Sequence, residues 1–202
     1  TALDSILYTD FNNAYQLSFT SFNEGISNVE TIQSDAENDG QTYTLELVSI
    51  AAPNTITNTW IVTSANTGTV TNGEIAAPIN FEGFAILYGN EGNDDFTVNN
   101  GATLTAVSGV RSDGTLDLDN NEENALTVLD AAVNTWTLTG VFEGNIDARN
   151  FSAIQSISGS GNDSLIALDQ RNNWVIDTTS TVSDTDGDTN DVVTFSGFGE
   201  LT

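Results

Sequence analysis

All three tryptophans of this 202-residue chain stand in one motif, and that repetition constrains the fold more than any other feature. Asn58-Thr59-Trp60-Ile61-Val62 is echoed by Asn134-Thr135-Trp136-Thr137-Leu138 and again by Asn172-Asn173-Trp174-Val175-Ile176. Asn13-Ala14-Tyr15-Gln16-Leu17 is a fourth copy with Tyr15 in the Trp slot. A second motif answers each copy: Phe81, Phe84 and Leu87 match Phe151, Ile154 and Ile157, and then Phe195, Phe198 and Leu201, while Ile26, Val29 and Ile32 fit the same spacing. A third motif comes next, as Gly92-Asn93-Asp94 and Gly161-Asn162-Asp163. Self-similarity of this kind is the signature of a repeat architecture, in which each unit buries its apolar face against its neighbours.

Successive motif asparagines are 45, 76 and 38 residues apart, which divides the chain into units at 13–57, 58–133, 134–171 and 172–202. Period-2 alternation in Thr42–Val48 and Thr115–Asp119 reads as strand, and Gly, Asn and Asp punctuate the chain at short intervals. No helical period of useful length is present. The expected fold is all-β, a right-handed parallel β-helix (β-solenoid) with two coils of 19 residues per 38-residue unit. At about 4.8 Å per layer, roughly ten coils make a rod of about 50 Å. Tandem immunoglobulin-like sandwiches are the rival, since a 76-residue unit is long enough for one. Thr1-Ala2-Leu3-Asp4 resembles Thr115-Leu116-Asp117, and Leu201-Thr202 stops short of a Gly-Asn-Asp turn. The chain therefore reads as a segment of a longer array or as a fibre protomer.

Composition narrows the chemistry. Twenty-nine acidic residues face three arginines, and the net charge is −26. Such a charge repels nucleic acid and anionic lipid. With no His, Cys or Lys, the chain has no Ser-His-Asp triad, thiol nucleophile or Schiff-base lysine. What survives is carboxylate chemistry, for which Asp117 and Asp119 are the candidate acid and base of a polysaccharide-degrading β-helix. Absence of catalysis is the stronger expectation. No apolar run approaches the roughly 18 residues that span a bilayer.

The order Asn-x-Trp, then Phe-x-x-[Phe/Ile]-x-x-[Leu/Ile], then Gly-Asn-Asp, then Thr-Leu-Asp-Leu resembles the β-strand repeats of large bacterial exoproteins. These are the filamentous-haemagglutinin-like and giant-adhesin proteins, often found with calcium-binding nonapeptides. The resemblance implies a parallel β-helix at the bacterial cell surface or in the extracellular matrix, with a role in adhesion or biofilm. It implies partners that are like copies, joined end to end, or glycans.

Specific side chains follow from these readings. Gly89–Thr97 and Ser158–Ile166 fit a calcium nonapeptide, in which Asp94 and Asp163 would each supply part of a calcium site. The alternative is an Asp that caps its own turn. Asp184, Asp186, Asp188 and Asp191 alternate in an acidic loop and are further candidate calcium ligands, although Thr189 and Phe195 occupy positions where an EF-hand needs Gly and Glu. Trp60, Trp136 and Trp174 are expected as a core ladder rather than a sugar-stacking strip. Asn58, Asn134 and Asn172 are expected at coil corners, as turn residues or a stacked amide ladder.

Overall fold

The computed structural model describes residues 4–8, 15–18, 29–35, 40–48, 57–71, 77–89, 92–109, 123–167, 172–176, 180–184 and 192–202. These residues form strands and turns and no helix. In chain order the strands are β1 (Asp4–Tyr8), β2 (Tyr15–Ser18), β3 (Val29–Ser34), β4 (Tyr43–Val48), β5 (Thr57–Ser64), β6 (Thr67–Thr71), β7 (Ile79–Glu82), β8 (Phe84–Tyr88) and β9 (Asn93–Val98). They continue as β10 (Ala106–Ser108), β11 (Ala125–Val128), β12 (Thr135–Gly140), β13 (Glu143–Ile146), β14 (Arg149–Ser152), β15 (Ser156–Ile166), β16 (Asn172–Val175), β17 (Ser180–Asp184) and β18 (Val192–Leu201). The sheet is mixed and curls into a nearly closed, barrel-like wall.

Two kinds of pairing build it. Parallel ladders stack strands that recur along the chain, within units and between them, as in β2–β4–β8–β10–β14 and β5–β9–β11–β15–β18. Antiparallel meanders, β5–β6–β7, β12–β13–β14 and β16–β17–β18, follow each Trp motif. The parallel ladders cross all three internal unit boundaries, so the strands of one unit are paired with those of the next. The antiparallel meanders were not foreseen by a purely parallel solenoid.

The 19-residue coil is corrected by the register. Ser158 and Ser196 stand side by side with hydroxyls 3.0 Å apart, 38 positions along the chain. A 38-residue unit therefore supplies one strand to this ladder, not two, while the 76-residue unit supplies three, β5, β9 and β11. The Trp strand and the hairpin strand after it consume the residues that a second coil would have needed.

Side-chain period 2 on these strands places the motif residues inside. Leu45, Leu87, Val107 and Phe151 form one buried stack in register, and Phe96, Leu126, Ile157 and Phe195 form another. Full burial of each such side chain contributes about 1.5–3 kcal/mol. The rings add directional contacts: Trp60 stacks on Phe96 at 5.6 Å and meets Phe81 edge-on at 6.1 Å. Trp136 packs against Phe151 at 6.0 Å and Phe198 at 5.3 Å.

The hairpin strands carry a repeated glycine under a ring. Gly68 lies opposite Phe81 in β6–β7, and Gly144 opposite Phe151 in β13–β14. A Cβ on Gly68 would overlap the Ile61 carbonyl and lie 2.7 Å from the Phe81 ring; on Gly144 it would overlap the Thr137 carbonyl and lie 2.7 Å from the Phe151 ring. Neither position needs an unusual φ; both need space. Gly144→Ala and Gly68→Ala are accordingly expected to lower the unfolding free energy by about 2–3 kcal/mol each. Denaturant titration checks this, and a loss under 0.5 kcal/mol at both sites would show that the rings do not rest on those glycines.

Candidate functional site

The three sequence motifs converge on one buried polar node, built twice. In the first, β5 runs parallel to β9, with Asn58 opposite Asp94 and Trp60 opposite Phe96. Trp60 donates its indole Nε1–H to Asp94 Oδ1 at 2.9 Å, and Asn58 Nδ2 donates to the same oxygen at 3.1 Å. In the second, β12 runs parallel to β15, with Trp136 opposite Leu165. Asp163 there accepts from Trp136 Nε1 at 3.1 Å, Asn134 N at 3.0 Å, Asn134 Nδ2 at 3.3 Å, Ser160 N at 3.1 Å and Ser160 Oγ at 2.8 Å. Asp94, Asp163, Trp60 and Trp136 are fully buried, and Asn58 and Asn134 nearly so.

The glycines of the nonapeptide-like segments make room for these carboxylates. A Cβ on Gly89 would overlap the Asp94 carboxylate, and one on Gly159 would come within 2.8 Å of Asp163 Oδ2. A polar ladder continues above the first node. Asp94 N donates to Asn124 Oδ1 at 2.8 Å, Asn124 N donates to Gln155 Oε1 at 2.8 Å, and Asn124 Nδ2 donates to the Ala153 carbonyl at 3.1 Å. Sequence reasoning missed Asn124 and Gln155. The available signal was Asn124-Ala125-Leu126-Thr127-Val128, which repeats the pattern of Asp94-Asp95-Phe96-Thr97-Val98.

Burial alone would push the Asp163 carboxyl up. The N–H donors of Asn134 and Ser160, the Ser160 hydroxyl and the Trp136 indole outweigh burial and hold it below the ordinary carboxylate value. The node thus does what isolated buried charge cannot: it keeps an anion in the core by surrounding it with donors.

The sequence-predicted residues separate accordingly. Trp60 and Trp136 are core, closed to a sugar face. Trp174 is half-buried, with its ring 5.5 Å from Phe195. Tyr15 stands in β2 opposite Leu45, the register that Trp60 has with Phe96, so the fourth motif copy is also paired with a returning parallel strand. Asn58 and Asn134 are donors to an aspartate, not an amide ladder. Asp94 and Asp163 point at N–H groups, and the turn-capping alternative holds in part for Asp163 through Ser160. Asp184 ends β17; its side chain, together with Asp186, Asp188, Asp191, Asp117 and Asp119, lies outside the described residues. Among the described residues no three His, Cys, Asp or Glu side chains gather where they could hold a metal ion. Arg149 reaches Asp130 at 3.8 Å, a partly exposed pair of little energetic weight.

Removing the acceptor strands several buried donors, each costing about 1–3 kcal/mol. Asp163→Ala is expected to lower the unfolding free energy by about 3 kcal/mol or more, and Trp136→Phe by about 1–2 kcal/mol. The sign with pH follows from the depressed value. Asp163 stabilises above the ordinary carboxylate range, near pH 4, and that stability is lost as pH falls through its folded value. The difference in stability between the native chain and Asp163→Asn should shrink as pH falls from 5 to 2. A difference independent of pH would contradict an ionised Asp163. Searched against family models, curated proteins and solved structures, the chain matches none of them.

Proposed function

We propose that this chain is a structural, adhesive stalk segment of a bacterial cell-surface or extracellular-matrix protein, built as a right-handed parallel β-solenoid with antiparallel hairpins set into each unit. The observation that carries the reading is the use of the buried carboxylates. The strongest candidates for chemistry, Asp94 and Asp163, are enclosed in the core and engaged by Trp and Asn, so their work is to lock one strand to another. Ladders that run through all units make the segment one continuous wall, suited to carrying load. The acid surplus keeps such a wall soluble and disfavours nucleic acid and anionic membranes. Adhesion to glycans or to like copies belongs to the outer surface, and the resemblance to adhesin repeats supports an extracellular setting.

Calcium is part of the proposal at the acidic loop carrying Asp184, Asp186, Asp188 and Asp191, where alternating oxygen ligands suit a hard cation. Millimolar calcium is expected to raise the melting temperature relative to chelator, and Asp186→Asn with Asp188→Asn to remove that rise. An unchanged melting temperature would withdraw calcium and leave the scaffold.

The scaffold itself is tested by single-molecule pulling and by a depolymerisation assay on acidic and neutral polysaccharides. Unfolding is expected in steps releasing roughly 30–40 residues, about 100–140 Å of chain, with no turnover. Polysaccharide cleavage abolished by Asp117→Asn would replace the scaffold with the enzyme reading.

A further inference from the structure

The outer face of the β8–β10–β14 ladder carries a cleft, and the register explains its shape. Ala106 stands between Ile86 and Asn150, and Ser108 between Tyr88 and Ser152. These positions alternate with Leu87, Val107 and Phe151, which are buried in the core, so they belong to the opposite face of the sheet. The middle strand thus sets two small residues between larger neighbours on either side. A depression of about 260 Å³ lies there. On its floor the Ser152 hydroxyl donates to Ser108 Oγ at 2.8 Å.

The two walls differ in chemistry. One is Ile86 and Tyr88, both half-buried, a hydrocarbon and a phenol ring. The other is Thr139, Glu143 and Asn150, all exposed, which bring a hydroxyl, a carboxylate and an amide. An irregularity in the β12–β13 pair sets Glu143 in place: the register shifts between Leu138 and Gly140, and Gly140 comes opposite Glu143. A Cβ on Gly140 would overlap the Glu143 carboxylate, so the glycine leaves the acid room to lie against the strand. Gly89 and Gly159 make the same provision for Asp94 and Asp163 in the core; here the carboxylate is held at the surface.

An apolar wall facing a polar one suits a pyranose ring, which has C–H faces and a rim of hydroxyls. Each sugar hydroxyl both donates and accepts, as the Asn150 amide and the serine hydroxyls do, while the Glu143 carboxylate accepts only. The volume is just below the roughly 300–1,000 Å³ of drug-sized sites, which leaves room for one sugar unit. Charge selects further. No Lys or Arg lines the cleft among the described residues, and Arg149, next to Asn150 in β14, reaches Asp130 instead. With Glu143 in the wall and a net charge of −26, an acidic sugar is repelled.

We propose that this cleft binds one neutral pyranose unit of a glycan, with a C–H face on Ile86 and Tyr88 and adjacent hydroxyls on Glu143 and Asn150. The proposal rests on the adhesive reading of the outer surface and gives it a site and a ligand class.

Nitrogen-resolved NMR titration of the full chain tests this, with the methyl glycosides of glucose, galactose and mannose and the uronic-acid counterpart of each as probes. At least one neutral glycoside is expected to bind with millimolar affinity and to shift the amides of Ser108, Asn150 and Ser152. Its acidic counterpart should bind about tenfold more weakly. Ala106→Leu fills the depression and should abolish the shifts, and Tyr88→Ala should weaken binding several-fold. Glu143→Gln should weaken the neutral sugar about tenfold and narrow the gap to the acidic one. Glu143 is exposed and Gln nearly isosteric, so the test holds even where Ala106→Leu disturbs the sheet. No amide shift with any neutral glycoside at tens of millimolar would overturn the proposal, as would tighter binding of the acidic counterparts. Sugar binding unchanged in folded Ala106→Leu and Glu143→Gln would remove this site and leave the adhesive reading standing, with the glycan held elsewhere on the surface.

Discussion

A carboxylate buried in an apolar interior costs several kcal/mol unless donors surround it, and the two nodes of this protein are arranged around that constraint. Asp163 has five donor contacts from Asn134, Trp136 and Ser160. Three of those contacts come from Asn134 and Trp136, 29 and 27 residues back in the chain, so satisfying the anion fully requires one specific strand pairing in one specific register. A shift of one residue would turn Trp136 out of the core and leave the carboxylate without its indole. Polar burial here acts as a register lock, while the stacked Leu, Ile and Phe side chains supply the bulk of the stabilisation.

The motifs were legible because repetition makes them so. Asn-x-Trp, the Phe-x-x-Phe-x-x-Leu pattern and Gly-Asn-Asp all lie where the strands and the core require them. What joins them was not legible. Asn58 and Asp94 are 36 residues apart and Asn134 and Asp163 are 29, and a hydrogen bond over that distance leaves no local pattern. Gly89 and Gly159 clear space for a carboxylate, the same provision that a calcium turn makes, so the glycine pattern alone does not distinguish the two. The asparagines read as turn residues because Asn favours turns; at 58 the amide instead donates across a strand pair, while at 134, just before β12, it donates both to Asp163 and to the Ala132 carbonyl two residues back.

The layer height was misjudged through the hairpins. Thr67-Gly68-Thr69-Val70 and Glu143-Gly144-Asn145-Ile146 are short and glycine-bearing, more like loop than strand by composition. They nonetheless pair on both sides, held under Phe81 and Phe151. Together with the Trp strands they pair with, they take up residues that a second 19-residue coil would have needed. Among the described residues, two aspartates, Asp94 and Asp163, are committed to the core.

If the Asp–indole pairing closes each unit, the three indole N–H groups must differ in protection. Hydrogen exchange of the tryptophan side chains, followed by nitrogen-resolved NMR on the monomeric chain at low salt, reads this directly. Trp60 and Trp136 are expected to exchange only through global unfolding, and Trp174 many times faster. Three indoles exchanging at the same rate, or Trp60 and Trp136 exchanging as freely as an exposed indole, would contradict the account.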